Sequence, residues 1–448
     1  MTGAQGSIAY APTAGLSYDP TEPVYWDPAA LAGEVERVFE ICHGCRLCFK
    51  YCDSFPTLFG LIDDRHAGDV RGLTAPEKER VLDACFQCKL CEVQCPYTPR
   101  DGHAFQLDFP KLVHRARAQR AKRRRPRLRE RLLADPDRIA KLARASFGLA
   151  NALARVRPHR VVLEKALGIH RDKDLPPFAG TTFERWAERA GKIAAEPGGE
   201  AVLFPTCYVQ NNSPELGRDT LEVLATNGID ARCARGLACC GMPAWEQGDL
   251  ATVRRFAAQS LDALAPFVER GAKVVAINPT CSMMMRREWP HLLEGRDRER
   301  AERLAPQVVD PSELLWSIRA EPRFRASVRT KPAGRIACHA PCHLRAQGIG
   351  FRARDLYKKL FGAEVALVAE CCGHDGTYAM KVEGFEPSRR IGAKAFGEMA
   401  DARAATWSTD CPLAALQFRQ HARVEALHPM TILARAYRGD PFPPEAGA

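Results

Sequence analysis

The chain has 448 residues, which is long for a single hydrophobic core and predicts two to four domains. A hydrophobic content of 46%, a charged content of 27% and a formal net charge of +11 are compatible with a soluble globular protein. No run of about 18 apolar residues predicts a membrane-spanning helix, and the opening residues lack the basic and apolar regions of a signal peptide. We therefore expect a cytoplasmic protein.

Cysteine is the most informative residue type in this sequence. Eighteen cysteines in a reducing compartment argue against disulfides and favour metal or redox chemistry. The first eight fall into two quartets with the spacing C-x2-C-x2-C-x3-C, and Pro96 follows the second quartet, as in bacterial ferredoxins. The first quartet consists of Cys42, Cys45, Cys48 and Cys52, and the second of Cys85, Cys88, Cys91 and Cys95.

This spacing is typical of two 4Fe–4S clusters. Three thiolates spaced two residues apart can bind one cluster, whereas the fourth follows a longer step and can reach the neighbouring cluster. Structural zinc is the alternative, although zinc sites normally place their two ligand pairs well apart. We therefore expect one cluster on Cys42, Cys45, Cys48 and Cys95, and the other on Cys85, Cys88, Cys91 and Cys52.

A short helix is expected before each quartet. Residues 34–45 and the stretch around Val81, Leu82 and Ala84 have the apolar spacing of amphipathic helices that lead into Cys42 and Cys85. This arrangement resembles the helical two-cluster ferredoxin module of succinate dehydrogenase iron–sulfur subunits.

Residues 111–130 form a basic run, with ten Lys or Arg against one Glu. Such a run could bind an anionic membrane surface, an acidic partner or nucleic acid, or form a solvated helix between two domains. No aromatic residue interleaves it for base stacking, so we expect no nucleic-acid partner. An apolar stripe at broadly helical spacing follows, and it could lie on a membrane surface or pack against the protein itself. The stripe consists of Ile139, Leu142, Ala143, Phe147, Leu149, Ala150 and Leu153.

From residue 200 onward the sequence repeats itself. Strand-like stretches lead into Cys207, the adjacent Cys239 and Cys240, and Cys281, and then into Cys342, the adjacent Cys371 and Cys372, and Cys411. Matching cysteines are 135 residues apart (207 to 342), 132 apart (240 to 372) and 130 apart (281 to 411), which indicates an internal duplication. Strands and helices alternate, so each half is expected to be an α/β layer with parallel strands.

The cysteines of each half follow strands, at the edge where open α/β sheets bind ligands. We therefore expect four thiolates to meet in each half, with Gly241 or Gly373 allowing a tight turn beside the metal. Four thiolates favour an iron–sulfur cluster or zinc. Simple burial of the thiols is one alternative, and the residues around Cys338, Cys342 and His343 also resemble a stretched haem attachment motif.

From about residue 36 to residue 440, these motifs together resemble the heterodisulfide-reductase-related (CCG-domain) iron–sulfur oxidoreductases, especially the iron–sulfur subunits that accompany glycerol-3-phosphate and glycolate dehydrogenases. The family motif has a fifth cysteine, but Met284 and Ala414 stand at those positions here. The resemblance implies metal ligands at Cys207, Cys239, Cys240 and Cys281 in the first half and at Cys342, Cys371, Cys372 and Cys411 in the second.

The resemblance implies electron transfer from a flavoprotein dehydrogenase, of glycerol-3-phosphate or 2-hydroxy-acid type, toward a quinone pool at the inner face of the cell membrane. No G-x-G-x-x-G motif follows an expected strand, so the chain offers no dinucleotide site of its own. The alternative is a catalytic thiol–disulfide reductase. We expect two 4Fe–4S clusters in the N-terminal module and one further cluster or metal in each half.

The expected fold class is multidomain: an α-helical two-cluster ferredoxin module, a helical linker and a duplicated α/β CCG domain. The expected boundaries are an N-terminal tail at 1–35, the ferredoxin-like module at 36–110, the basic helical linker at 111–195, and the CCG repeats at 196–325 and 326–440.

Overall fold

The structure is a computed structural model that describes residues 8–124, 126–374 and 376–442. Residues 1–7 of the expected tail and Arg125 of the basic run lie outside the described residues. The chain divides into two compact units. The N-terminal unit contains the residues up to Pro126 together with Trp245–Leu250, and the C-terminal unit contains Arg127–Ala244 and the residues from Ala251 onward. Within the described ranges, no helix is long and apolar enough to cross a membrane.

The N-terminal unit is helical, and short loops that carry the cysteines connect its helices. An aromatic cluster lies in its core, where the Phe55 ring is 4.8 Å from the Phe109 ring and the Phe39 ring is 6.4 Å from the same ring. The helices are α1 (Pro28–Cys45), α2 (Ser54–Arg65), α3 (Ala75–Asp83), α4 (Leu90–Gln94) and α5 (Phe109–Arg123).

Helix α1 is longer than the sequence predicts, and it contains the first two cysteines instead of ending before them. It begins at Pro28, where the Asp27 side chain accepts hydrogen bonds from the first free backbone N–H groups. A buried ion pair stabilises its middle, because the Arg37 Nη2 donates to Glu34 Oε2 at 2.6 Å. The Arg37 Nη1 also donates to the carbonyl oxygens of Tyr10 and Phe105, both at 2.9 Å. Arg37 therefore joins three segments of the unit.

Helix α5 contains the first part of the basic run, and it packs into the N-terminal unit. The Arg115 side chain is buried and donates to the backbone carbonyls of Gly15, Val24 and Tyr25. Since its charge is used inside the unit, Arg115 does not contribute to an exposed basic surface. Only Lys122, Arg123 and Arg124 of the described part of this helix end are exposed.

The remainder of the chain alternates strands and helices. Its strands are β1 (Ala201–Phe204), β2 (Ala231–Cys233), β3 (Lys273–Ala276), β4 (Val308–Val309), β5 (Ile336–His339), β6 (Val365–Val368), β7 (Thr406–Thr409) and β8 (Ala426–Leu427). Its helices are α6 (Leu128–Ala134), α7 (Pro136–Ala145), α8 (Leu149–Leu153), α9 (Arg157–Leu167), α10 (Phe183–Arg189), α11 (Thr206–Asn211), α12 (Pro214–Thr226), α13 (Met242–Trp245), α14 (Leu250–Glu269), α15 (Pro279–Met283), α16 (Trp289–Leu292), α17 (Gly295–Leu304), α18 (Pro311–Ser317), α19 (Cys342–Gln347), α20 (Arg352–Phe361), α21 (Val382–Asp401), α22 (Pro412–His421) and α23 (Pro429–Arg438). A π-helical turn spans Met284–Glu288, and 3-10 turns span Pro23–Trp26, Val70–Gly72, Pro99–Asp101, Ala305–Gln307 and Tyr378–Met380.

Two four-stranded parallel sheets with the same strand order form the centre of the C-terminal unit, as far as the structure describes it. The orders are β2-β1-β3-β4 and β6-β5-β7-β8. This equivalence confirms the duplication predicted from the cysteine offsets. One apolar core contains Leu203 and Val275 of the first sheet together with Ile336 and Leu356 of the second half, so the halves share a core.

The expected apolar stripe forms two helices instead of one. Helix α7 ends at Ala145, and Phe147 and Gly148 both have positive φ, 51° and 93°, before α8 begins at Leu149. Glycine adopts this conformation at little cost, so the break is located at Gly148. The stripe is therefore divided between two short helices.

Candidate functional site

The first set of cysteines lies where α1 ends. Arg46 stops the helix in the left-handed conformation, with φ 55°, so that the chain turns back between Cys45 and Cys48. Burial raises the pKa of the Cys42 thiol well above its ordinary value, and the nearby thiols of Cys48, Cys95 and Cys45 raise it further. The structure therefore brings together the four cysteines that we expected to bind one cluster.

The second set repeats this loop geometry. Lys89, between Cys88 and Cys91, has φ 60° and stands where Arg46 stands in the first loop. Burial raises the pKa of Cys91 well above its ordinary value, followed by the effects of Cys88 and Cys85, then those of Cys48 and Cys52. The Gln87 backbone N–H donates to Cys85 Sγ at 3.4 Å. Cys52 thus lies near the second set although it belongs to the first quartet.

Three strand ends bring the cysteines of the first half together. Cys207 follows the central strand β1, Cys239 and Cys240 follow β2, and Cys281 follows β3. The side chains of Cys207 and Cys239, of Cys239 and Cys240, and of Cys240 and Cys281 are hydrogen-bonded to each other. The hydrogen bond with Cys239, together with burial, raises the pKa of Cys207 well above its ordinary value. All four predicted residues of this half therefore meet in one place.

Two further residues of this site were not predicted. Asp137, on α7, accepts a hydrogen bond from the Cys239 backbone N–H (3.1 Å) and one from Asn211 Nδ2 (2.8 Å). Burial raises the pKa of Asp137. Thr206, directly before Cys207, has φ 67°, which strains a β-branched residue. The sequence carries no signal for either feature, because both depend on how α7 and the β1–α11 turn are placed.

In the second half, the cysteines occupy the equivalent edge of the sheet. Cys342 is the first residue of α19 after β5, Cys371 and Cys372 follow β6, and Cys411 follows β7. The Gly373 backbone N–H donates to Cys371 Sγ at 3.3 Å. Because β5 lies between β6 and β7, their carboxyl ends share one edge, as the sequence predicts.

A buried cation lies beside this second edge. Gln417 Nε2 donates to the Cys372 carbonyl at 2.9 Å, and the Gln417 Oε1 accepts a hydrogen bond from Lys173 Nζ. Burial lowers the pKa of Lys173 to about 8, whereas the nearby Cys372 thiol acts to raise it. A positive charge on this lysine compensates negative charge on thiolates of the second half.

The two cysteine sites of the C-terminal unit adjoin each other. Cys411 is close enough to Cys281 to act on the pKa of its thiol. Thr280 Oγ1 and His343 Nδ1 are 2.9 Å apart, and Gln347 Nε2 donates to the Pro279 carbonyl at 3.0 Å. His343 therefore forms part of the contact between the halves.

The other sulfur-bearing and motif positions lie apart from these sets. Cys233 and Cys338 are within β2 and β5, each 2% exposed, and belong to the apolar core. Burial raises the pKa of both thiols. Met284 and Ala414, at the positions of the missing fifth cysteines, are completely buried, and the π-helical turn begins at Met284.

The chemistry of the donor sets fits iron–sulfur clusters, because soft thiolates grouped in fours are their usual ligands. Burial alone favours the neutral thiols, so binding a cluster must displace their protons. Within the described residues, no group of three or more His, Cys, Asp or Glu side chains has the geometry to hold a single metal ion.

Comparison with protein families defines the class of this chain. Residues 41–98 match a 4Fe-4S dicluster domain, and residues 201–286 and 336–419 each match a cysteine-rich domain, named CCG. The chain is an iron–sulfur oxidoreductase subunit of the CCG-domain class, with a dicluster domain followed by two CCG domains.

Its relatives include two kinds of protein. The chain is 27% identical over 328 residues to a subunit of the anaerobic glycerol-3-phosphate dehydrogenase of Escherichia coli K12, which covers 72% of this chain and 81% of that protein. It is 26% identical over 186 residues to "Lactate utilization protein A" of Bacillus velezensis, covering 40% of this chain and 74% of that protein. "Lactate utilization protein A" of Geobacillus kaustophilus is 27% identical over 186 residues, with the same coverage of 40% and 74%.

Proposed function

We propose that this chain is the electron-transfer subunit of a flavoprotein dehydrogenase complex and passes electrons toward a quinone pool. The observation that carries this proposal is the grouping of sixteen of the eighteen cysteines into four sets, two in each compact unit. A chain with several redox sites and no dinucleotide motif is suited to transfer electrons between other molecules.

The proposed ligands are the residues predicted from the sequence. Cys42, Cys45, Cys48 and Cys95 bind one 4Fe–4S cluster, and Cys85, Cys88, Cys91 and Cys52 bind the second. Cys207, Cys239, Cys240 and Cys281 bind a cluster in the first half, and Cys342, Cys371, Cys372 and Cys411 bind one in the second half. When bound, each cluster accepts and releases one electron. Around them, backbone donors such as Gln87 and Gly373 stabilise negative charge on sulfur.

The names of the relatives support a donor that oxidises glycerol 3-phosphate or a 2-hydroxy acid such as lactate. Such oxidations release two electrons, and a flavin can pass them on singly to one-electron carriers. We propose that the electron donor is a flavoprotein dehydrogenase and that the complex works at the inner face of the cell membrane, where the chain is peripheral.

One observation favours a second function, a thiol–disulfide reductase. An apolar cavity reaches Cys239 and Cys240, so a small substrate has access to the site. The missing fifth cysteines weigh against this alternative, because four thiolates leave less open chemistry for a substrate sulfur than the full family motif does.

The two functions are separated by Cys372→Ser in the complex with its flavoprotein. As an electron-transfer subunit, the variant loses substrate-to-quinone activity while the flavoprotein still reduces an artificial dye. The isolated wild-type chain then shows no turnover of a small disulfide with an artificial electron donor. Rapid disulfide turnover by the isolated chain that Cys372→Ser abolishes would contradict the proposed function.

A further inference from the structure

The C-terminal unit contains a cavity of about 600 Å³ that reaches from its surface to the cysteines of the first half. Its lining includes Leu142 and Leu149, which are 62% and 58% exposed, and also Cys239 and Cys240, which are 1% and 2% exposed. Small-molecule sites typically have volumes of roughly 300 to 1,000 Å³. The cavity is therefore large enough for an organic ligand even though a cluster would fill the part beside the thiols.

The cavity wall is mostly apolar, and the stripe predicted from the sequence supplies much of it. Leu132, Leu163 and Leu167 extend this wall from α6 and α9. Because such a wall offers few partners for polar groups, it favours a ligand that is hydrophobic over most of its length. The stripe residues in the wall are Ile139, Leu142, Ala143, Leu149, Ala150 and Leu153.

Polar groups are present where the cavity reaches the cysteines. Tyr208 directly follows Cys207 and lies close enough to Cys411 to interact with it electrostatically. Thr280, which contacts His343, also lines the cavity. Hydroxyl groups of this kind can donate to a carbonyl oxygen. The buried part of the cavity therefore suits a polar head group on an otherwise apolar molecule.

Helices α7 to α9 also shape the protein surface around this cavity. Phe147 is 98% exposed, and Val156 and Val162 are 47% and 61% exposed. Residues 138–165 contain seven Lys or Arg against one acidic residue. Exposed apolar side chains among basic ones are typical of helices that lie at the surface of an anionic bilayer. A hydrophobic ligand could therefore enter the cavity directly from lipid.

We propose that this cavity binds a membrane quinone, with its ring beside Tyr208 and the first-half cysteines and its isoprenoid tail along α7 and α8. This inference rests on the proposed function and assigns its acceptor to one site. Reduction converts the two ring C=O groups into C–OH groups and requires two electrons and two protons. The flavoprotein dehydrogenase supplies the electrons through the clusters, and water supplies the protons. A small polar disulfide suits this apolar wall less well.

The test measures binding to the full chain, reconstituted anaerobically with iron and sulfide and kept without an electron donor. Ubiquinone-1 is the probe in isothermal titration calorimetry, and 1-decanol serves as an apolar ligand without the ring. Ala150→Trp puts a large ring into the cavity wall, whereas Ala152→Trp puts it on an exposed position of the same helix. We expect Ala150→Trp to weaken ubiquinone-1 binding at least tenfold and Ala152→Trp to leave it unchanged.

Two further measurements do not depend on the folding of Ala150→Trp. Tyr208→Phe, which removes one hydroxyl, is expected to weaken ubiquinone-1 binding severalfold without affecting 1-decanol. An azido-quinone photolabel on the wild-type chain is expected to mark peptides of α7, α8 or the β1–α11 turn. Labelling confined to other peptides overturns the inference, and so does 1-decanol binding as tight as that of ubiquinone-1.

The failure of this inference is distinguishable from failure of the proposed function. If the complex reduces quinone and Ala150→Trp does so at the wild-type rate, the acceptor site lies elsewhere and only this inference is overturned. If ubiquinone-1 binds as expected but the complex transfers no electrons to it, the inference about the binding site is supported and the proposed function is contradicted.

Discussion

Gly241 and Gly373 are equivalent residues whose surroundings differ. Both follow a Cys-Cys pair and have positive φ, 92° and 74°. A Cβ added at Gly373 would lie 2.1 Å from the Ser388 carbonyl oxygen, whereas at Gly241 the nearest atom is Val253 Cγ1 at 3.3 Å. The turn therefore requires glycine in both halves, but only the second half also requires the missing side chain.

We expect Gly373→Ala to destabilise the C-terminal unit more than Gly241→Ala does. The left-handed conformation costs either alanine about 1–2 kcal/mol, and the clash with backbone adds roughly 1–3 kcal/mol at Gly373. Differential scanning calorimetry of the two variants measures this difference. Equal losses, or a larger loss at Gly241, would show that the two turns are under the same constraint.

The buried cysteines provide a second comparison between residues of similar exposure. Cys240 and Cys233 are both 2% exposed, but only Cys240 is hydrogen-bonded to other cysteines of a set. We expect Cys240→Ala to lower the iron and sulfide content by one cluster and to remove its electron paramagnetic resonance signal. Cys233→Ala, the matched control, retains the full content. Iron loss in both variants would mean that burial, not ligation, explains the effect.

At the scale of elements, α1 depends on a buried ion pair. Burial alone would raise the pKa of Glu34, but the hydrogen bonds from Arg37 and Thr13 outweigh it and lower the pKa below its ordinary value. Glu34→Gln leaves the Arg37 charge buried without its partner and is expected to cost about 3–5 kcal/mol. Hydrogen exchange of α1 amides in urea at pH 7 measures this loss.

The same helix supplies a control and a pH dependence. Glu36 pairs with Lys78 nearer the surface, so Glu36→Gln is expected to cost at most about 1 kcal/mol. The stabilisation by Glu34 is fully present above the unfolded-state pKa of 4.5 and is lost as the pH falls through its lower folded value. The difference between wild type and Glu34→Gln should therefore shrink below pH 4.5; a difference independent of pH would contradict this assignment.

Element prediction from the sequence succeeded where cysteine spacing and apolar runs act together. Strands β1, β3, β5 and β7 follow from four-residue apolar or β-branched runs before a cysteine. Strands β4 and β8 were missed because two residues carry no recognisable pattern. The extent of β1 was overestimated, since Pro205 and the positive φ of Thr206 end it before Cys207. Asp137 was missed because its role depends on the packing of α7 against the first sheet.

At the scale of the whole molecule, the exposed apolar surface of α7 to α9 is expected to adsorb to membranes. Phe147→Ser removes the most exposed phenylalanine of this surface and should weaken binding to anionic vesicles about tenfold, since burying such a side chain contributes roughly 1.5–3 kcal/mol. Vesicle co-sedimentation over a range of salt concentrations measures the effect. Phe49→Ser, at a 61% exposed site of the N-terminal unit, is the control and should bind as the wild type does. Equal weakening by both variants would exclude α7 to α9 as the membrane-binding surface.

The composition of the N-terminal unit has a consequence for the order of events during synthesis. The Trp245 ring stacks on His114 with 4.5 Å between centroids, Lys89 Nζ lies 5.3 Å from the same indole, and Arg117 donates to the Glu246 carbonyl. A ribosome that has released only the first 126 residues has therefore not yet supplied the partners of His114 and Arg117. The dicluster unit becomes complete only after translation has passed Leu250, when most of the first CCG domain has also emerged.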